Sequence, residues 1–217
     1  QENNEEKKNA SMKKNFFEGW YYKNSNEKTT IAFIPSYHVD NKGAISASLQ
    51  IITPDNSYSF DYSEEDFFLD KKKPVIKIGK NYFFNNGIEI NIDNEKLKIF
   101  GKLSFEDITP IEYDIMGPFV YVPALECRHS VISMRHTVNG SITINGAKHI
   151  FNNGIGYIES DKGRSFPKKY LWTQFNMNNL EKTSAILSIA TVKTLFTHFN
   201  GAICVIQHKN KEYRLAT

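Results

Sequence analysis

What the sequence lacks narrows it first. Only two cysteines, Cys127 and Cys204, occur in 217 residues, too few for a disulfide framework. No apolar run approaches membrane-spanning length, and the opening QENNEEKKNASMKKN has no apolar stretch of the kind a secretory signal needs. The expectation is a cytoplasmic protein with no stable membrane insertion. Charge of one sign is missing as well. The formal net charge is +3 with acids and bases interspersed, and no Lys/Arg stripe alternates with aromatics, so nucleic acid is not an expected partner. The run Lys71–Lys73 before Pro74 reads as a solvated turn. There is no GxGxxG, P-loop, GxSxG elbow, CxxC or HExxH, so nucleotide, serine-hydrolase and zinc chemistries have no motif, and no metal is expected.

Helical periodicity is scarce too. NLEKTSAILSIATVK has some helical propensity, but its Ile, Val and Thr content and its neighbours favour a strand. What is present is alternation. AISASLQI, GIEINID and KLKIFGKLSF place apolar side chains at every second residue, with DNKG, DNE and NGA as turns between such runs. IEINIDNEKLKIFGKLSF and SITINGAKHIF read as hairpins. With 40% apolar residues, 16 Phe and 11 Tyr, the chain is expected to be an all-β globular protein. Its strands must close into a sandwich or an antiparallel barrel, and a barrel with an aromatic interior is suited to an apolar small-molecule ligand. Residues 1–13 read as a disordered leader, Met12 as a natural start, and the alternating end GAICVIQHKNKEYRLAT as a fold cut short.

Three segments carry the candidate chemistry. NFFEGWYYK, extended, shows Phe16, Glu18, Trp20 and Tyr22 on one face and Phe17, Gly19 and Tyr21 on the other. Glu18 is either paired with a base such as an arginine, or lines a cavity, or sits in water on an edge strand. PALECRHSVISMRH puts Glu126 and Arg128 on one face and Cys127 and His129 on the other, with His136 after an apolar stretch. His129 fits an ordinary hydrogen-bonded core position as well as a site. GYIESDKG aligns Tyr157, Glu159 and Asp161, and YLWTQF aligns Tyr170, Trp172 and Gln174. Two carboxylates two residues apart repel, and in a dry site one stays protonated near neutral pH, ready to donate. The competing reading is a loop of solvated acids followed by a core strand.

FFEGWYYK, MGPFVYVPALECRHSVISMRH and GYIESDKGRSFPKKYLWTQF, at this spacing, resemble the tocopherol cyclase-like family over about residues 16 to 217. Lys162 stands where relatives often carry Trp, and Leu125 where Met is common. The resemblance implies a lipocalin-like fold of two barrel-like halves, about 14–120 and 121–217, the second incomplete. It also implies kinship with carotenoid hydratases and AttH-like proteins. The implied reaction is acid-catalysed cyclisation of a prenylated hydroquinone to a chromanol, an isomerisation needing no cofactor. By that resemblance Glu159 is the acid, Tyr157 its neighbour and His129 the histidine of the site, with Asp161 raising the acid's pKa. Glu18, Trp20, Tyr22, Glu126, His136, Tyr170, Trp172 and Gln174 are expected at the substrate, and Trp20, Trp172, Tyr157 and Glu159 are expected to share one cavity. The alternatives are a non-catalytic carrier of an isoprenoid or quinone, and a hydratase acting on another terpenoid.

Overall fold

The computed structural model describes residues 15–121, 125–177, 182–193 and 198–216; the expected leader, 1–13, lies outside them. Fifteen antiparallel strands and two short 3-10 turns, Glu64–Asp66 and Gly117–Tyr121, make up the described secondary structure. The strands are β1 (Phe16–Ser25), β2 (Thr30–Val39), β3 (Ile45–Ile52), β4 (Ser57–Ser63), β5 (Phe67–Asp70), β6 (Val75–Ile78), β7 (Asn81–Phe84) and β8 (Gly87–Asp93). They continue with β9 (Lys98–Thr109), β10 (Cys127–Ile144), β11 (Ala147–Gly163), β12 (Tyr170–Asn176), β13 (Ser184–Lys193), β14 (His198–His208) and β15 (Lys211–Ala216). The expected all-β antiparallel fold is what the chain adopts, and the segment with helical propensity is strand β13.

Strands β1 to β11 form one sheet in the order β4-β3-β2-β1-β11-β10-β9-β8-β7-β6-β5, curled into a nearly closed barrel. Its edges approach each other at the Glu64–Asp66 turn. There Asn81 Nδ2 reaches Tyr62 Oη of β4 (3.5 Å). Strands β12 to β15 form a second, smaller sheet. The large sheet therefore takes in β10 and β11, running past the division expected near residue 121.

The barrel interior is filled. Trp20, Tyr22, Phe33, Leu49, Ile78, Phe83, Ile99 and Ile158 interlock there, supplied by the apolar positions of each alternating strand. Glu18 shares this face. It accepts hydrogen bonds from Tyr37 Oη (3.0 Å) and Lys71 Nζ (3.1 Å), so its cation is a lysine from the run read as a solvated turn. A second core lies on the outer side of the barrel wall, where Val131, Met134 and Tyr157 meet Ile186 and Val205 of the small sheet.

The hairpin joining β10 and β11 turns at Asn145 and Gly146, both at positive φ (48° and 85°), the conformation that suits the twist of a two-residue hairpin loop. These two strands, 18 and 17 residues long, outrun the barrel and serve both cores. β10 changes register with β11 between Val131 and Ser133, and again between Ser133 and His136. Such bulges re-aim side chains. Met134 thus joins Val131 in the outer core, and the second shift restores the alternation, so His136 faces the barrel side, its ring 4.3 Å from that of Phe105.

His136 lies directly over Gly156, where an added Cβ would come 1.9 Å from Nε2. Gly156→Ala is expected to lower stability by about 1–3 kcal/mol through overpacking. In a His136→Ala background the same change should cost clearly less. Urea denaturation of the four proteins checks this, and additive costs would show that the ring is not the obstacle.

Candidate active site

The site is built on the outer face of three adjacent strands, β1, β11 and β10, and each of the three segments singled out in the sequence supplies one. Pairing sets the rows. Tyr21 lies opposite Glu159, which lies opposite Val131; Gly19 lies opposite Asp161, which lies opposite His129. Gly19 brings no side chain to its row, and the Asp161–His129 pair sits beside it. The small sheet covers this face, presenting Tyr170, Trp172, Ser188, Ala190, Gly201 and Ile203 inward.

Between the layers is a cavity of about 300 Å³, at the lower end of the range for small-molecule sites. Its walls are mostly apolar: Ile34, Met116, Phe119, Leu125, Phe166, Pro167 and the small-sheet residues above. The polar groups are few and gathered on the barrel side, where Glu159, His129 and Asp161 line it with Tyr21, Glu126 and Cys127.

Glu159 is buried and three groups converge on its Oε2. Tyr157 Oη donates at 2.6 Å, Trp172 Nε1 donates at 3.1 Å, and His129 Nε2 stands 3.5 Å away. Burial nonetheless prevails and pushes the carboxyl pKa up to about 7, with Asp161 adding to the rise and the His129 charge and the two donors opposing it. His129 is held from its other side, with Nδ1 2.9 Å from Asp161 Oδ1. Burial works against its charge, but the Asp161 hydrogen bond and the Glu159 and Asp161 charges outweigh that and raise its pKa. Burial and Glu159 push the Tyr21 phenol up to about 12, and burial with Asp161 does the same for the Cys127 thiol. Both stay neutral at physiological pH, so Cys127 has no thiolate to offer as a nucleophile. Tyr21 stands edge-on to Tyr157 and Trp172, ring centroids 6.4 and 5.5 Å away.

The same His129 nitrogen and Glu159 and Asp161 oxygens lie within 4.8 Å of one another, a spacing that a metal ion would accept. Some of these atoms are already engaged, while His129 Nε2 has no hydrogen-bond partner among the described residues. Glu159 Oε2 takes two donors and Asp161 Oδ1 faces His129 Nδ1, so a cation would have to displace hydrogen bonds that the fold supplies.

The structure brings together Glu159, Asp161, His129, Tyr157 and Trp172, with Glu126 and Tyr170 at the mouth. It does not bring Trp20. That residue, with Glu18 and Tyr22, faces the barrel interior, because the odd-numbered side of β1 is the one that faces the small sheet. The cavity expected to hold both tryptophans is therefore bordered by Trp172 and Tyr21 instead. His136 is absent because, seven positions from His129, it lies on the barrel side of β10 opposite Gly156, the two register shifts cancelling between them. Gln174 has the expected face but sits beyond the pocket, accepting from Lys23 Nζ (2.9 Å) and tying β12 to β1. Tyr21 was the residue missed. The signal for it was Gly19 two positions away, the one gap in an aromatic segment, marking the face that must leave room.

The pH dependence of stability follows from Glu159. Its folded pKa is raised, so the folded state binds the proton more tightly than the unfolded state between about 4.5 and 7. This contribution is fully present below about pH 4.5 and lost as pH rises through about 7, a difference on the order of 3 kcal/mol. Glu159→Gln is expected to flatten that segment of the profile and to be more stable than the parent at pH 8. Thermal melts from pH 4 to 8 check it; parallel profiles would mean that the carboxyl is not held protonated.

Comparison with known proteins adds to this geometry. No curated protein matches the sequence. Among solved structures, the fold resembles an AttH protein of Nitrosomonas europaea, with TM-score 0.53 and 12% identity, covering 92% of this chain and 68% of that one. It also resembles kievitone hydratase of Nectria haematococca, with TM-score 0.56 and 11% identity, covering 94% of this chain and 63% of that one. At such identities the likeness is one of fold. The sequence profile described as tocopherol cyclase-like matches residues 95–217, more than half of the chain, and spans strands β10, β11 and β12 that carry His129, Glu159 and Trp172. The chain belongs to the tocopherol cyclase-like family.

Proposed function

We propose that this protein protonates a carbon–carbon double bond of an isoprenoid, and that the reaction it supports best is ring closure of a prenylated hydroquinone. The observation that carries the reading is Glu159: a buried carboxyl group with its pKa raised to about 7, on the polar wall of an otherwise apolar cavity. A group of that acidity is protonated often enough near neutral pH to donate, and strong enough to do so.

The chemistry divides among the residues present. The contacts on Glu159 converge on Oε2, which leaves Oε1 to carry the transferable proton. Donation to the side-chain alkene leaves a tertiary cation, which Tyr21 and Trp172 face as aromatic surfaces without being nucleophiles. The carboxylate left behind is stabilised by the Tyr157 and Trp172 donors. Attack of the phenol oxygen closes the chromanol ring and releases one proton for each one given. His129, oriented by Asp161 and 3.5 Å from Glu159, is placed to pass that proton back. Exclusion of water by the small sheet protects the cation from capture. Were water admitted instead, the same acid would give a hydratase, the activity named for one of the proteins of similar fold.

Glu159→Gln keeps the shape of the side chain and an acceptor for Tyr157 but removes the acid. Turnover of a prenylated hydroquinone, followed as chromanol by mass spectrometry, is expected to fall about 10²–10⁴-fold while binding of the quinol persists. Unchanged turnover in the variant removes Glu159 as the acid. A parent protein that binds prenyl quinols and neither cyclises nor hydrates them is a carrier.

A further inference from the structure

The loop that follows β11 forms one lip of the pocket, and its composition is unlike that of the pocket walls. From Lys162 to Leu180 the chain has four basic residues, Lys162, Arg164, Lys168 and Lys169, and no acidic one. Lys162, Lys168 and Lys169 are exposed. Between them stand Phe166 and Tyr170, which line the pocket and yet are 50% and 59% exposed. Phe166 is anchored as it projects, its ring stacked on Phe17 at 4.7 Å and on Tyr170 at 6.0 Å. The acids of the mouth, Glu126 and Asp161, line the pocket.

The neighbouring surface continues the pattern. The outer face of the small sheet begins at Leu171, next to Tyr170. Three consecutive cross-strand rows on it, Leu171–Ile189–Ala202, Thr173–Leu187–Cys204–Leu215 and Phe175–Ala185–Ile206–Tyr213, contain no charged side chain. Leu171 and Leu215 are 52% and 68% exposed. A contiguous exposed apolar surface bordered by bases marks an interaction site.

We propose that the protein docks on an anionic lipid surface through this lip: Phe166, Tyr170 and Leu171 enter the headgroup layer while Lys168 and Lys169 meet lipid phosphates. Aromatic side chains favour that depth, and basic residues add attraction to an anionic leaflet, two signals that together give stable but reversible attachment. The docked mouth opens toward the bilayer, so an apolar ligand passes from lipid to pocket without crossing water. The motive for docking rests on the isoprenoid reading above; the surface itself does not.

The test is flotation of the full chain with vesicles free of isoprenoid, made of phosphatidylcholine alone or with about a third phosphatidylglycerol. The protein is expected to float with the anionic vesicles, less so with the neutral ones, and to be released by salt. A Lys168→Glu/Lys169→Glu variant should lose about tenfold or more of its partitioning, and Phe166→Ser should weaken it on both vesicle types, with circular dichroism unchanged. No flotation with anionic vesicles, or equal flotation of parent and both variants, overturns the proposal. So does a dimer by light scattering that Leu171→Glu dissolves in a protein that does not float, since a second copy would then own the face. Because the vesicles hold no substrate, Glu159→Gln should float like the parent; a negative result leaves the acid chemistry standing, and loss of that chemistry leaves docking standing.

Discussion

The fold depends on one ribbon, β1–β11–β10, being buried on both faces. Most antiparallel sheets in small proteins keep one face in water, and alternation then separates an apolar side from a polar one. Here the inner face of the ribbon closes the barrel with Trp20, Tyr22 and Ile158, and its outer face carries Tyr21, Tyr157 and Val131 beneath a second sheet. A strand asked to serve two cores has few places for polar side chains. Those it has beside the cavity, Glu159, Asp161 and His129, lie within reach of one another, and Tyr157 and Trp172 donate to Glu159. Their mutual contacts accompany burial, and burial raises the pKa of Glu159 toward neutral pH.

The barrel is accordingly a support for the site and not its container. A filled interior gives the wall stiffness, and a stiff wall holds Glu159, Asp161 and His129 in fixed rows by backbone pairing alone. Placement of reacting groups on strands within a continuous hydrogen-bonded ladder is more exact than placement on loops.

Much of this was legible in the sequence. Period-two runs and their turns identify the all-β fold because alternation is a direct consequence of pleating, and the NGA turn reads correctly because so few residues accept two positive φ values in succession. The Tyr157, Glu159 and Asp161 face was equally readable, since β11 has regular alternation through that stretch. Two features were not. Alternation in β1 separates Trp20 from Tyr21 but does not say which face meets another segment; that follows from a pairing between residues more than a hundred positions apart. The bulges of β10 break parity within a few residues, so Met134 joins Val131 on the outer face although three positions separate them, for reasons that lie in backbone register and leave no mark in residue type.

The two-layer construction also divides the labour of change. Residues of the ribbon answer to the barrel on one side and to the Glu159, Asp161 and His129 cluster on the other, so almost any substitution there is judged twice. Residues of the covering sheet that face the cavity outside the second core, such as Ser188 and Ala190, answer chiefly to what lies beneath them. A lineage can therefore exchange the size and shape of what it accepts by altering the cover, leaving the acid and its supports untouched. Descendants of such an ancestor would share a reaction while differing freely in the molecule they apply it to.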